Sequence, residues 1–308
     1  MSVLIAGNTV LDIHLDVDGD AASFAEGWAD QNVSFLDRPP SLVLGGNGAA
    51  TAYVLGRLGV PVRLNTAIGD DAAADLASGW MRSANVEVMC GSNQQTAVNI
   101  VKTRSSDGAR QSSFFAGSKL QWDVGTDAED LEWFFTSGYG QVERSDFDTL
   151  ARVMETVHHR GVRTVFDPGP WFARCVDCAS MRKAMPRVEV LSGTLEELAT
   201  WSTGETPESM IDDYLGLGVR VVVVKMGPEG AQFGCEDARG WVRGKPVPCV
   251  HAVGAGDTFN GALLFGLVAG IAPLEEIIQV SVTYAEKAVR SGRGVLGAFP
   301  PIDSPDSV

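Results

Sequence analysis

The sequence predicts an α/β protein built on a parallel sheet with helices on both faces. Three observations carry that expectation. From residue 131 onward, short β-branched runs alternate with helical stretches, the pattern of strands joined by crossover helices. Residues 3–6 form an uninterrupted apolar run ending at Gly7, as a strand covered on both sides would. The 308 residues are 45% hydrophobic, enough to fill a large core.

Charge and cysteine content narrow the class. A net charge of −15 argues against nucleic acid or an anionic membrane as partner, since either needs a basic surface. It leaves room for a local positive site. The five cysteines are sparse, and only Cys175 and Cys178 lie close together. Without a second pair at zinc spacing they suggest no metal site. The first residues lack the basic region and long apolar run of a signal peptide, and no stretch approaches about 18 consecutive apolar residues. These features lead to the expectation of a cytoplasmic chain.

In chain order, residues 11–17 alternate Leu, Ile, Leu, Val with Asp12, His14 and Asp16, a strand with one wet face. His14 on that strand is expected to be solvated. Residues 18–40 are polar and read as a loop. Gly45, Gly46, Asn47 and Gly48 turn into a helix with an apolar face of Ala50, Tyr53, Val54 and Leu58, stopped by Gly59. A strand at 62–68 and a helix holding Leu76 and Trp80 follow. Residues 96–101 and 111–115 flank a turn at 105–108 and read as a hairpin. Later strands are expected at 162–166, 188–191 and 219–225. Helices are expected at 147–159, 195–201, 209–217, 258–269 and 274–290, the last ending at Gly292.

Two glycine-rich motifs stand out. In HAVGAGDTFNGALLFGL, residues 251–267, Gly254, Ala255 and Gly256 precede Asp257 and a helical run. Such a turn leaves backbone N–H groups unpaired at a helix start, where the dipole also favours an anion. Asp257 would then border an anion site and take a proton from an attacking hydroxyl. The alternative is a plain turn with Asp257 as the helix cap. No G-x-x-x-x-G-K-[ST] or strand-following G-x-G-x-x-G occurs.

Together with GGNGAATAYVLGRLG at 45–59, about 200 residues upstream, that motif resembles the paired signatures of the ribokinase-like (PfkB-type) carbohydrate kinases. The resemblance covers nearly the whole chain. It implies one kinase domain over 1–308, a three-layer α/β/α sandwich with a small β-sheet lid near 12–44 and 96–118. It implies transfer of the ATP γ-phosphoryl group to a hydroxymethyl group of a sugar, with Mg²⁺ on the phosphates. A nucleoside kinase of the same fold is a second reading, and Phe35, Phe114 and Phe115 are candidates for its base pocket. A non-catalytic sugar- or nucleotide-binding sensor is a third.

The resemblance also assigns roles. Asp257 is the expected base, and Gly254, Ala255 and Gly256 form the anion hole. Asp12 is expected to grip sugar hydroxyls, with Gly45, Gly46, Asn47 and Asn99 beside it; an exposed strand Asp is the alternative. Lys225, Gly227 and Gly230 belong to the nucleotide loop, with Lys225 as a mobile charge, or to an ordinary turn after a strand. Thr194 and Glu197 occupy a family Asn-x-x-Glu motif in which Glu197 would orient water on Mg²⁺, and they also fit a capping box. Asp167 is a cleft-wall residue with an indirect role. These sites are expected to share one cleft, each following a strand of the main sheet. His251 stands where relatives carry an Asp for a monovalent cation, so no strict potassium requirement is expected. A homodimer through lid strands is a further expectation.

Overall fold

The computed structural model describes residues 2–17, 36, 38–90, 94–104, 110–138, 142–247 and 253–300. His251, Phe35 and the hairpin turn at 105–108 lie outside the described residues.

The main sheet is a run of seven parallel strands. They are β1 (Ser2–Ala6), β4 (Val62–Asn65), β5 (Val86–Met89), β8 (Leu131–Ser137), β9 (Arg163–Asp167), β10 (Val190–Thr194) and β11 (Val221–Lys225). Two antiparallel strands, β12 (Gly230–Cys235) and β13 (Arg239–Arg243), extend it at one edge, giving the order β13-β12-β11-β10-β9-β8-β1-β4-β5. The antiparallel edge adds two strands to the parallel sheet that was expected. A hairpin needs no crossover helix, so it carries no helical signal in the sequence.

Helices cover both faces. On one side lie α1 (Asn47–Arg57), α2 (Ala72–Ser83), α7 (Ala255–Ala269) and α8 (Leu274–Ser291). On the other lie α3 (Arg144–His159), α4 (Cys178–Ala184), α5 (Leu195–Ala199) and α6 (Pro207–Gly216). Strand alternation serves both layers. Val3 and Ile5 of β1 point into the first core while Leu4 and Ala6 point into the second. Local chemistry starts and stops the helices: Asp71 accepts from Ala74 N at 2.8 Å, Thr206 caps α6 ahead of Pro207, and Gly270 and Gly292 end α7 and α8 in the left-handed conformation.

A second, four-stranded sheet is formed by β2 (Val10–Val17), β3 (Ser41–Gly45), β6 (Ala97–Arg104) and β7 (Arg110–Phe115), in the order β3-β2-β6-β7. β6 and β7 pair antiparallel, as a hairpin does. His14 corrects its expectation: it is buried, at 5% exposure.

Two helices differ from their sequence patterns. α1 has no wet face, because every residue from Asn47 to Gly56 is buried between the sheet and α7. Its small residues make that close approach possible. α2 buries Ala74, Ala77 and Met81 and leaves Leu76 exposed. α1 and α7 meet at Gly261, where an added Cβ would lie 2.6 Å from Val54 Cβ and 3.0 Å from the Thr51 carbonyl oxygen. Gly261→Ala is therefore expected to cost about 1–3 kcal/mol by overpacking, more than the roughly 1 kcal/mol that Ala gains in helix propensity. A urea melt checks this: a lower midpoint at unchanged slope is expected, and an unchanged or higher midpoint contradicts the packing.

Candidate active site

Strands β9, β10 and β11 deliver three polar side chains, Asp167, Ser192 and Lys225, to one place. Lys225, closing β11, is 8% exposed and places its Nζ 2.8 Å from Asp167 Oδ2 at the end of β9. Asn260 of α7 donates from Nδ2 to the same Asp167 oxygen at 2.6 Å, while Asn260 Oδ1 accepts from Lys225 Nζ at 3.4 Å and from Ser192 Oγ at 2.9 Å. Burial alone would lower the Lys225 ammonium, but the Asp167 and Glu197 carboxylates outweigh it and hold the group above its ordinary value. Lys225 is thus a fixed charge, which corrects the expectation of a mobile one. Asp167 is more than a wall, since it anchors both Lys225 and α7.

The network fixes the start of α7. Gly254 caps the helix at φ 78°, in the left-handed region that favours glycine. No side chain caps this end, so the first amides, at Ala255, Gly256 and Asp257, have no protein acceptor among the described residues. Asp257 sits in the first turn rather than at the cap, so the plain-cap reading does not hold. Gly256 is exposed, and among the described residues outside its own helix the one atom near a Cβ placed there is Lys225 Nζ, at 3.9 Å. The result is an open cradle of N–H groups next to a buried ammonium.

Asp257 keeps part of its surface exposed, and protein encloses the rest. Burial pushes its carboxyl up to about 7; the Asp167 carboxylate adds to the rise, the Lys225 ammonium opposes it, and Asp12 and Glu197 add again. One carboxyl thus feels charges from β2, β9, β11 and α5, so these positions lie near one another. They do not all follow main-sheet strands, which corrects that expectation. Asp12 lies within β2, Gly45 ends β3 of the small sheet, and the strand preceding α7 in the described chain is antiparallel β13.

Asp12 is 6% exposed, so it is not a surface carboxylate. Burial raises its carboxyl to about 6 against the lowering effect of Asn99, whose Nδ2 donates to Asp12 Oδ1 at 3.0 Å. A Cβ at Gly45 would collide with the Asp12 carboxylate, and one at Gly46, φ 81°, with the Asn8 carbonyl. Asn47 is locked to Asn8: Asn47 N donates to Asn8 Oδ1 at 3.0 Å, and Asn8 N donates to Asn47 Oδ1 at 3.3 Å. The buried Asn47 Nδ2 and Asn99 Oδ1 find no partner among the described residues. With Asp12 they offer one donor and several acceptors, the complement of a polyol.

Thr194 and Glu197 form the capping box of α5, with Thr194 N donating to Glu197 Oε2 at 2.8 Å and Glu197 N to Thr194 Oγ1 at 3.2 Å. Burial and the Asp167 carboxylate raise the Glu197 carboxyl, with Lys225 opposing. Gly227 is open, with φ 55° and no neighbour near its Cβ position among the described residues. Gly230 is different: it is buried against the β13 backbone, so its missing side chain serves hairpin packing and not a ligand.

Comparison with known proteins matches this arrangement to a family. A model of the pfkB family carbohydrate kinases matches residues 6–297. The chain belongs to the PfkB family. A fructokinase from Rhizobium leguminosarum bv. trifolii is 24% identical over 229 residues, covering 70% of this chain and 69% of its own length. An ATP-dependent ribose-1-phosphate kinase from Halopiger xanaduensis is 27% identical over 264 residues, covering 85% and 83%. The crystal structure of a putative ribokinase II from E. coli, in complex with ATP and Mg²⁺, superposes with a TM-score of 0.76 at 20% identity, covering 97% of this chain and 96% of its own. That likeness establishes a common fold.

In this PfkB-family chain the sequence motifs led to Asp257 and Asp12 but not to Asn8, Ser192 or Asn260. Asn260 stands three residues after Asp257 inside the motif, and that spacing was its one available signal. The raised Asp257 carboxyl bears on stability. A carboxyl whose folded value exceeds its unfolded value stabilises below the unfolded value and loses that contribution as pH rises through the folded one. Asp257→Asn removes the charge, so it is expected to raise stability by about 1–2 kcal/mol at pH 8, the linkage being reduced by solvent in the cleft. The gain shrinks as pH falls from 7 toward 4. Denaturant melts at the two pH values check it, and a variant less stable than wild type at pH 8 contradicts it.

Proposed function

We propose that this kinase transfers the γ-phosphoryl group of ATP to a hydroxymethyl group of a sugar or sugar-containing acceptor. The observation that carries the reading is the uncapped N-terminus of α7, with Lys225 beside its amides and Asp257 in its first turn. Asp12 is among the carboxylates whose charge helps to raise the Asp257 carboxyl. An anion cradle and a polyol-binding carboxylate in one cleft suit phosphoryl transfer between them. The uncapped amides and fixed ammonium, brought to one point with a proton acceptor, favour catalysis over a sensor role.

Asp12, Asn47 and Asn99 would hold the acceptor's hydroxyls. Asp257 would accept the proton of the attacking hydroxyl as its oxygen bonds to the γ-phosphorus and the bond to the bridging oxygen of ADP breaks. The amides of residues 255–257 and Lys225 would stabilise the charge gathered on the moving phosphoryl group. Among the described residues no three His, Cys, Asp or Glu side chains converge as a metal cage. Mg²⁺ commonly relies on phosphate and water for most of its ligands, and it would supply charge neutralisation there with Glu197 holding one of its waters. The ATP and Mg²⁺ of the ribokinase II complex support both cofactors. The expected dimer is carried forward on the open edges of β3 and β7 among the described strands.

The test is kinetic. Asp257→Asn is expected to lower kcat about 10²–10⁴-fold with the acceptor KM little changed. Because the base acts when deprotonated, kcat/KM of the wild type is expected to level off above about pH 7 and fall roughly tenfold per unit below it. Wild-type turnover by the Asn variant would remove Asp257 from the mechanism.

A further inference from the structure

A cavity of about 480 Å³ lies beside the small sheet, and Asn8, the partner of Asn47, is on its wall. Strand register makes the connection. Val43, Asp12, Asn99 and Phe114 stand in one row across β3, β2, β6 and β7, so they share a face. Asp12 and Asn99 belong to the acceptor site, and Phe114, next in the row, lines the cavity. Asn8, locked to Asn47, lines it from the main-sheet side. The space therefore begins where the acceptor's sugar is proposed to sit.

We infer that this cavity holds a planar, uncharged heterocycle joined to that sugar, making the preferred acceptor a nucleoside. The inference rests on the kinase reading above and narrows its substrate. Size favours it, because the volume falls within the range that encloses drug-sized ligands and exceeds the needs of one sugar ring. The walls favour it as well. Phe114, Trp122 and Trp171 bring three aromatic rings to one cavity. Trp122 is fixed by its Nε1 donating to Asp146 Oδ1 at 3.2 Å, and the Arg174 guanidinium lies 4.3 Å from the Trp171 ring centre. Fixed aromatic faces suit a flat π-system, on which a base can stack.

Charge separates this occupant from an acidic or phosphorylated sugar. Two cations and two anions line the cavity and cancel formally. Lys119 Nζ is paired with Glu143 Oε2 at 2.7 Å, and Asp146 Oδ2 accepts from Glu143 N at 2.7 Å. Only Arg174 lacks a carboxylate partner among the described residues, and it is exposed, where it suits an exocyclic carbonyl. Of the aromatic residues expected to form a base pocket, Phe114 is in place. Phe115, 52% exposed, is on the alternate face of β7 and does not line the cavity.

The experiment compares kcat/KM, with ATP and Mg²⁺, for adenosine, inosine, cytidine, ribose, ribose-1-phosphate and 2-keto-3-deoxygluconate. At least one nucleoside is expected to exceed ribose by about tenfold or more. Phe114→Ala and Trp171→Ala are each expected to cut that nucleoside-to-ribose ratio about tenfold, and Trp171→Phe, which keeps a ring, to hold it within about threefold. The wild-type comparison needs no variant to fold. If ribose, the sugar phosphate or the sugar acid equals or beats every nucleoside, the inference is overturned while the kinase reading stands. A variant that lowers nucleoside and ribose alike overturns it too. Absence of phosphoryl transfer to any acceptor removes the kinase reading and this inference with it.

Discussion

The structure depends on the buried contact between Lys225 and Asp167. A buried ion pair offers weak support for stability, because desolvation offsets most of the attraction. Its value here is positional. It ties the ends of β9 and β11 together at 2.8 Å, and Asn260 brings α7 to the same carboxylate oxygen. Ser192 of β10 closes the group through Asn260 Oδ1. Three strands and one helix are thus registered by polar bonds, which are directional where apolar packing is not. The uncapped end of α7 is thereby held beside Lys225.

The two sheets divide the labour. The small sheet holds Asp12, and the main sheet with its helix layer holds the anion cradle and Asp257. Both acids are kept above their ordinary range chiefly by burial, about 6 for Asp12 and about 7 for Asp257. Each is more easily protonated than a solvated carboxyl, so each weakens the fold when ionised.

Much of this was legible in the sequence, for identifiable reasons. Parallel strands leave continuous apolar runs, so β1, β9, β10 and β11 could be read within a few residues. The motif around Asp257 could be read because a helix start without a capping side chain needs Gly or Ala in consecutive positions. The buried polar network could not. Its partners are separated by 93, 68 and 35 residues, and no local pattern reports which polar side chains will meet. β12 and β13 escaped notice because an edge hairpin has no crossover helix. The burial of α1 all round, and of His14, depends on what packs over them, which periodicity within one element does not encode.

In the proposed reaction the amides of Ala255, Gly256 and Asp257 receive the phosphoryl group that Asp257 helps to transfer. A crystal structure of this chain with Mg²⁺ and a non-hydrolysable ATP analogue tests it most directly. The account predicts the terminal phosphate within hydrogen-bonding distance of those amides, with Lys225 beside it and the Asp257 carboxyl turned toward the acceptor side of the cleft. A triphosphate bound away from the start of α7, with these amides facing only solvent, would contradict it.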